Sequence, residues 1–257
     1  IDVLRAQTMM GRLSAGFIGG LVGNFSVPKK TASGTAYWLT NESTAITESQ
    51  PTLGQMLLTP KNVGGYTEIS HQLLQQSAPD AESMTMEDLS ATLAVDIDAK
   101  AFNGSGASGQ PTGILNTAGI GSVTGTTIAY AGVVEFQTDL ASANALTENC
   151  AYVATPTVAG LLMQRQRFSS TDTPLWTGSM LQGQVAGFAA YGTTQVPAGT
   201  LLFGNFGDVV VAEWGVMELT LNPFANFAAG IVGVRAWATV DIGVRRAGSF
   251  SAASSVT

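Results

Sequence analysis

The segment from residue 80 to residue 115 constrains the fold most, because it reads as one long helix that ends in a glycine-rich loop. Acidic side chains at Asp80 and Glu82 and a basic one at Lys100 match the two ends of a helix dipole. One stripe with three- and four-residue spacing is apolar and consists of Met86, Leu89, Leu93, Ile97 and Ala101. We predict a helix over 81–102, roughly 33 Å long at about 1.5 Å per residue, that lies against a core.

The glycines that follow match a dinucleotide motif in letters only. Gly104, Gly106 and Gly109 fit G-x-G-x-x-G, but a dinucleotide site needs these glycines after a strand and before a helix, so that the helix N-terminus meets the pyrophosphate. Here the glycines end a helix, and no Gly-Lys-Ser/Thr follows as in a P-loop. We interpret the loop as a helix stop and predict no cofactor.

Two stretches carry a resemblance to a known family. NGSGASGQPTGILN after a long helix, together with ASGTAYWLTNESTAITESQPTLGQ before it, resembles the major capsid proteins of tailed bacteriophages, which have the Hong Kong 97-type fold. The similarity covers most of the chain, from about Val27 to Phe250, and is strongest in 104–115 and 45–55. It implies an α+β subunit with an N-terminal arm, an extended β-hairpin loop, a peripheral domain with a long spine helix, and an axial domain.

The pattern along the chain supports such a division. Residues 1–30 lack sustained periodicity, and we expect an arm whose apolar part, 13–23, packs on other subunits. Two-residue alternation predicts long strands over 208–220 and 230–244, and a helix is expected at 131–146. The expected units are the arm 1–30, the hairpin loop 31–60, a peripheral domain of 61–126 and 212–244 with the spine helix 81–102, and an axial domain of 127–211 and 245–257.

The hairpin is the candidate contact site. TASGTAYWL and AITESQPTLGQMLLTP read as two strands with the turn at 40–44, and a two-stranded hairpin of this length is not stable alone in water. We expect intersubunit contacts from its apolar residues Tyr37, Trp38, Leu39 and Ile46. In the resembled family the corresponding loop lies across a neighbouring subunit.

The composition also favours a surface covered by protein. Charged residues make up 11% of the 257 residues, against a typical 25% or so, and the net charge is −7. No apolar run approaches the roughly 20 residues of a membrane helix, so neighbouring protein rather than lipid is the expected cover. An acidic chain is repelled by phosphate, which argues against a dedicated nucleic-acid-binding module.

Catalytic and metal-binding residue types are scarce. His71 is the one histidine and Cys150 the one cysteine, whereas zinc sites combine several such ligands. A Cys150–His71 dyad is conceivable, but Cys150 opens an apolar strand, where a buried inert thiol is common. No G-x-S-x-G elbow is present. We expect no catalytic, cofactor-binding or metal-binding residues and no enzyme activity.

We interpret the isolated charged side chains as surface residues. Asp96 and Asp98 point to different faces of a helix and form no carboxylate pair. We expect Asp139, Glu148 and Asp241 to be solvated. The densest basic positions serve surface solubility or, alternatively, contact a neighbour's carboxylate or packaged DNA; they are Arg165, Arg167, Arg245 and Arg246.

Covalent cross-linking is not expected. Some members of the resembled family form a lysine–asparagine isopeptide bond from a lysine near the hairpin tip. Lys29 and Lys30 precede the hairpin, the tip region 40–48 has no lysine, and 230–240 has no glutamate to act as catalytic acid. We expect noncovalent cohesion, with an accessory cement or decoration protein as a further partner.

The resemblance implies a structural function in the virion. The expected activity is self-assembly of pentamers and hexamers into an icosahedral shell around double-stranded DNA held without sequence specificity, with a portal as partner and assembly in the bacterial host cytoplasm. The alternatives are an encapsulin-like compartment with an enzyme cargo and a gene transfer agent (GTA) shell. The first residue, Ile1, fits proteolytic maturation, an omitted beginning or a cloning boundary, and we favour maturation.

Overall fold

The structure is a computed structural model and describes residues 8–32, 34–39, 41, 45–76, 80–168 and 173–257. Its helices are α1 Met9–Arg12, α2 His71–Gln76, α3 Asp80–Asn103, α4 Tyr130–Ser142 and α5 Pro156–Gln164. Its strands are β1 Gly16–Ile18, β2 Phe25–Ala32, β3 Thr52–Leu58, β4 Lys61–Ser70, β5 Gly121–Ser122, β6 Cys150–Ala154, β7 Trp176–Gly178, β8 Gln182–Val185, β9 Phe188–Gly192, β10 Leu201–Asn205, β11 Val209–Glu213, β12 Glu218–Asn226, β13 Ile231–Val244 and β14 Phe250–Ala253.

The first sheet is organised around β13, the longest of these strands. One edge of β13 pairs with β4 from Ile231 to Val240, and the other edge pairs first with β12 and then with β11. β11 and β12 thus run end to end, where the alternation predicts one strand. The break falls at Trp214 and Gly215, because Gly215 has φ +78°, a conformation that does not continue a strand. β1 adds in parallel to β11.

The second sheet has seven strands in the order β5-β14-β10-β6-β9-β8-β7. The central strands β6 and β10 are antiparallel, and all five residues of β6 are buried. Helices α4 and α5 pack on this sheet, with Phe136 and Leu162 in the same apolar cluster as Tyr152 and Phe203. α5 begins with Pro156 at its first position, where the missing N–H costs nothing. The predicted helix at 131–146 is confirmed but ends at Ser142.

The predicted spine helix is α3, which begins and ends one residue beyond the prediction. Its predicted stripe lies inward: Leu89, Leu93, Ile97 and Ala101 are buried against the first sheet, and Met86 is half-buried beside them. The helix ends where the Gly104 N–H bonds the Lys100 carbonyl at 2.7 Å. A Cβ at Gly104 would lie 2.2 Å from the Pro111 carbonyl oxygen, so close backbone approach requires glycine here.

The expected extended arm is wrong for residues 8–18. Met9 and Met10 in α1 are buried in the chain's own core, and Leu13 is buried beside them, rather than left for another subunit. Asp98 of α3 contributes to this placement, because its carboxylate accepts hydrogen bonds from the N–H groups of Met9 and, at 3.2 Å, Met10. Of the stretch 13–23, Val22 is exposed. Residues 1–7 lie outside the described residues.

Strand pairing differs from two of the expected domain boundaries. Val209–Glu213 belongs to the first sheet, although the expected axial domain extended to residue 211. Gly121–Ser122 belongs to the second sheet, although the expected peripheral domain extended to residue 126. Pairing with strands distant in sequence causes both differences, and local periodicity does not show such partners.

Candidate assembly surface

The hairpin forms a separate two-stranded ribbon. β2 pairs with β3 from Phe25↔Leu58 to Ala32↔Thr52, with an irregularity between Lys30 and Ala32. The first strand of the hairpin therefore begins six residues earlier than expected. It ends at Ala32, near the start of the predicted strand 31–39. Residues 34–39 and 45–50 carry no regular pairing, although the Thr35 N–H bonds Ser49 Oγ at 2.7 Å. In the expected turn 40–44, Asn41 alone lies within the described residues.

The four apolar residues chosen as contact candidates all lie on the irregular tip. Trp38 is 100% exposed, and Tyr37, Leu39 and Ile46 are also exposed. Exposing a whole indole to water is unfavourable, since burying a large apolar side chain contributes about 1.5–3 kcal/mol. Large exposed apolar patches typically mark interaction sites. The exposed apolar tip is therefore a candidate contact surface.

The base of the hairpin packs on its own chain. Val27 and Leu58 are buried in a small apolar cluster with Val210 and Ala212 of β11. On the same ribbon, Leu57 is exposed, so the two faces of the hairpin differ. The ribbon is thus anchored at one end and open at the other.

Asp241 anchors the hairpin base, so its expected solvation is wrong. Its carboxylate is buried in β13, with Oδ1 2.7 Å from the Lys61 ammonium and Oδ2 accepting the Thr59 N–H at 2.9 Å. Asp139 also departs from expectation: it is half-buried and accepts a hydrogen bond from Ser251 Oγ at 2.7 Å. Glu148 is exposed as expected.

The face of the first sheet opposite α3 carries a second exposed surface, which we call the aromatic face: Tyr66, Arg235 and Trp237. Arg235 pairs with Tyr66 across the strands, and its guanidinium carbon lies 5.8 Å from the Trp237 ring centroid. The Tyr66 hydroxyl donates to Glu68 at 2.9 Å, and this bond raises the pKa of Tyr66.

Glycines let these rings lie flat on the sheet. A Cβ at Gly233 would lie 2.8 Å from the Tyr66 hydroxyl oxygen, and one at Gly64 would lie 2.9 Å from the Trp237 ring. Sequence reasoning missed this face, although the signal was present. Arg235 and Trp237 alternate with the buried Val234 and Ala236 in a strand that was itself predicted.

The glycine-rich loop closes back on the helix end. The Gly106 N–H bonds the Pro111 carbonyl at 3.0 Å and the Gly113 N–H bonds the Gly104 carbonyl at 2.9 Å. Gly106 and Gly109 have φ of +71° and +77°, which suits glycine. The interpretation as a helix stop is confirmed, since the loop follows α3 and opens no α-helix.

The residues considered for catalysis have different neighbours. His71 is exposed at the start of α2, where its ring lies 3.1 Å from the Gln75 amide nitrogen. Cys150 is buried in the second sheet, with Sγ accepting the Thr147 N–H at 3.3 Å, as expected for an inert thiol. Within the described part of the chain, no group of three or more His, Cys, Asp or Glu side chains could hold a metal ion.

Two carboxyl groups on α3 face different surroundings. Asp96 is exposed and Asp98 is buried, so the prediction that they form no pair is confirmed. Burial raises the pKa of Asp98 to about 6, and the two N–H groups of Met9 and Met10 partly offset this effect. The Asp98 carboxylate is buried beside the start of α1, and this burial accounts for the raised pKa.

Three of the four arginines make side-chain contacts within the chain, and the fourth, Arg245, is exposed. Arg165 donates to the Ile128 carbonyl at 2.5 Å, and Arg246 donates to the Ala143 and Asn144 carbonyls at the end of α4. Arg167 donates to the Tyr130 hydroxyl and lies 4.2 Å from that ring centroid.

A cavity of about 440 Å³ lies between the loop after α3 and the strands β5 and β14, and its lining contains Asn103, Ser122 and Thr200 but no charged side chain. Among the helices of the described residues, none combines the length and hydropathy needed to cross a bilayer.

Known structures share this architecture. The capsid of a native GTA particle is similar with a TM-score of 0.75 at 20% identity, over 94% of this chain and 88% of that one. Gordonia phage Cozz gives 0.72 at 16% identity, over 96% and 86%, and Mycobacterium phage Adephagia gives 0.75 at 11%, over 96% and 89%. The α+β fold is therefore the Hong Kong 97-type capsid fold.

Sequence comparison leads to the family. The phage capsid family model matches residues 1–254, and the chain therefore belongs to that family. The major capsid protein of Halomonas phage phiHAP-1 is 28% identical over 253 residues. That match covers 98% of this chain and 41% of the relative, so the chain spans less than half the length of that protein.

Proposed function

We propose that this chain is the structural subunit of a virion, self-assembling as pentamers and hexamers into an icosahedral shell that encloses double-stranded DNA. The observation that carries the proposal is the hairpin tip, where Trp38 is fully exposed at the end of an anchored ribbon. Family membership and the named major capsid relative support the same conclusion. In this function the chain binds copies of itself and catalyses no reaction.

The contact is proposed to join the hairpin tip of one copy to the aromatic face of the next. Both surfaces are apolar and exposed, and they lie at different places on one chain. One pair of opposite charges is available, since Glu48 lies on the tip and Arg235 lies on the face, which also carries Glu68. A contact between two different patches is heterologous, and heterologous contacts generate rings when the rotation closes.

Each contact can be modest. A standard interface removes about 1,600 Å² from water, and ordering costs offset most of the nominal hydrophobic gain. A closed shell multiplies such contacts, because each subunit both extends a hairpin and receives one. Many weak contacts then act together, as multivalency requires.

The proposed domain division follows the two sheets. The first sheet with α3 forms the peripheral domain, the second sheet with α4 and α5 forms the axial domain, and the hairpin is a separate extension. The second sheet with α4 and α5 has an apolar cluster of its own, which supports the division. The opposite face of that sheet, with Val153, Leu202 and Phe250, joins the cluster around the first sheet.

The cargo and remaining partners follow from the same proposal. A net charge of −7 fits a wall that does not adhere to packaged DNA, and contact without sequence specificity is proposed. A portal and a cement or decoration protein complete the partner set, with assembly in the host cytoplasm. The resemblance to a GTA capsid supports a gene transfer agent shell as the second candidate. Sequencing the enclosed DNA separates the two, since a gene transfer agent carries host DNA.

Electron microscopy of the purified full chain and its Trp38→Asp variant tests the proposal. The parent is expected to form closed shells, and the variant is expected to remain a folded, soluble subunit, because a carboxylate at the tip cannot be buried without a partner. Ser26→Asp, on the outer surface of the same ribbon, is the matched control for added charge and is expected to assemble. Normal shells from Trp38→Asp would refute the proposed role of the tip.

A further inference from the structure

A buried carboxylate holds the chain at the point where the hairpin ends. Asp241 is 2% exposed, and Oδ2 accepts the N–H of Thr59, the first residue after β3. Oδ1 accepts from the Lys61 ammonium, at the start of β4, and from the Ile242 N–H at 2.9 Å. The carboxylate therefore bonds both sides of the junction between the hairpin and the first sheet.

The neighbouring backbone leaves the junction little freedom. Pro60 lies between the two bonded residues and has its φ fixed near −65° by its ring. A Cβ at Gly243 would lie 2.6 Å from Met56 Sδ and 2.9 Å from Leu58 Cδ2, so these hairpin side chains rest directly on the backbone of β13. Side-chain packing thus fixes the ribbon against β13 close to the residues that Asp241 bonds.

The other leg of the hairpin is tied to the same sheet. The Trp214 indole N–H donates to the Gly23 carbonyl at 2.6 Å, and the Leu21 N–H donates to the Glu213 carbonyl at 3.4 Å. Gly23 and Leu21 lie just before β2 in the chain, and Trp214 and Glu213 lie where β11 ends. The ribbon is therefore held at two points, one on each leg.

Stability alone does not account for the ion pair. Desolvation offsets most of the attraction between buried charges, and a well-packed apolar pair is often as stable. What the charged pair adds is directional bonding at a defined place. We propose that Asp241, together with Lys61, is the positioning residue of the hairpin, which sets the angle between hairpin and sheet and hence between neighbouring copies. This inference rests on the proposed function, because the angle matters only if the tip binds a neighbour.

A small rotation at the base is amplified at the tip. The eight residues of β2 span about 26 Å at about 3.3 Å per residue. A rotation of about 10° would move the far end of the paired ribbon by about 4.5 Å, which exceeds the tolerance of a hydrogen bond. The irregular tip extends further still, so its displacement would be larger.

A distance measurement between two spin labels tests the angle directly. Leu53→Cys on the ribbon and Thr220→Cys on the first sheet place the labels at exposed positions of the Trp38→Asp chain. The native Cys150 is buried and is therefore not expected to be labelled. Double electron–electron resonance is expected to give a narrow distribution in this parent. With Asp241→Asn and Lys61→Met added, the distribution is expected to become about twofold broader, because local order falls where buried contacts are lost.

Control variants distinguish a change in hairpin orientation from a loss of folding. Lys61→Arg keeps the cation and is expected to keep the narrow distribution. Asn62→Ala removes the 2.7 Å bond between Asn62 and Thr239 on the next residue of β4 and is also expected to leave the width unchanged. Circular dichroism establishes the fold of each variant, and Asp241→Asn alone, which keeps the side-chain volume, decides the question if the double variant is unfolded.

The outcomes distinguish the two proposals. An unchanged width in a folded Asp241→Asn or double variant would overturn the positioning role. Shell formation by Trp38→Asp would instead overturn the proposed tip contact, and labelled chains diluted in unlabelled ones would still report the width. With Trp38 present, the double variant is expected to lose closed shells and to give irregular particles, whereas Asn62→Ala forms closed shells.

Discussion

Two tryptophans show how differently the second sheet and the hairpin tip are built. Trp176 in β7 is 1% exposed, its indole N–H donates to the Ser179 carbonyl at 2.9 Å, and it packs against the backbone at Gly183. Trp38 at the tip is 100% exposed. The same residue type is thus buried and hydrogen-bonded within the chain in one region and fully exposed to water in the other. The comparison teaches that one region buries its aromatic side chains within the chain, whereas the other leaves them exposed, as the proposed contact with a neighbouring copy requires.

The largest expected effect tests the self-sufficient region. Trp176→Ala should lower the free energy of unfolding by about 3–5 kcal/mol, because a buried aromatic side chain is lost and a cavity remains. Urea unfolding measures the change, in the Trp38→Asp background so that assembly does not add to stability. A loss below about 1 kcal/mol would mean that the second sheet is not the closed core inferred from its burial.

The segment around α1 is bonded to the core by the buried carboxyl group of Asp98, so its stability should depend on pH. The pKa of Asp98 is about 6 in the folded chain, against 3.8 for an ordinary aspartate. The folded state therefore binds the proton more tightly than the unfolded state, and the contribution of Asp98 to stability falls as pH rises from about 4 to about 6. The full change is about 3 kcal/mol at 1.36 kcal/mol per pKa unit.

Asp98→Asn isolates this effect from other carboxyl groups. The difference in unfolding free energy between parent and variant should move in favour of the variant as pH rises through that window, and urea unfolding at several pH values measures it. Asp96→Asn is the matched control, since Asp96 is exposed on the same helix. A difference that stays constant from pH 4 to pH 7 would contradict the burial of an ionisable Asp98.

The sequence predicted those parts of the fold that depend on local periodicity. The stripe from Leu89 to Ala101 indicated the spine helix and its buried face, because a helix repeats within its own residues. Tip residues such as Trp38 were found by a different argument, because a two-stranded hairpin cannot bury its own apolar side chains. Their contact with a neighbouring copy stays a prediction.

What could not be predicted depends on partners distant in the chain. Asp241 reads as a solvated charge in a strand until Lys61, 180 residues earlier, is placed beside it. The arm was misjudged because Asp98 lies 89 residues from Met9, and the start of α1 has no side-chain cap of its own. Long-range pairing of polar groups has no sequence period, so pattern analysis does not detect it.

A smaller effect is expected where the hairpin meets the sheet. Gly243→Ala should lower the free energy of unfolding by about 1–3 kcal/mol, since the new methyl group must displace Met56 and Leu58. Gly160→Ala in α5 is the control: its Cβ would meet the nearest atom at 3.5 Å, and alanine favours a helix. Equal effects of the two changes in urea unfolding would show that the hairpin base is loosely packed.

The smallest effect on the subunit is expected at the tip, and it completes the tryptophan comparison. Trp38→Ala should change the unfolding free energy of the unassembled chain by no more than about 0.5 kcal/mol, because an exposed side chain without buried contacts contributes little. The same variant should nevertheless assemble poorly, as judged by electron microscopy and by the fraction of sedimenting material. A substantial loss of subunit stability would show that the tip folds back on its own chain. Little effect on either quantity would leave the tip without a function in assembly, so it is the combination of a stable subunit and failed shells that identifies a surface made for another copy.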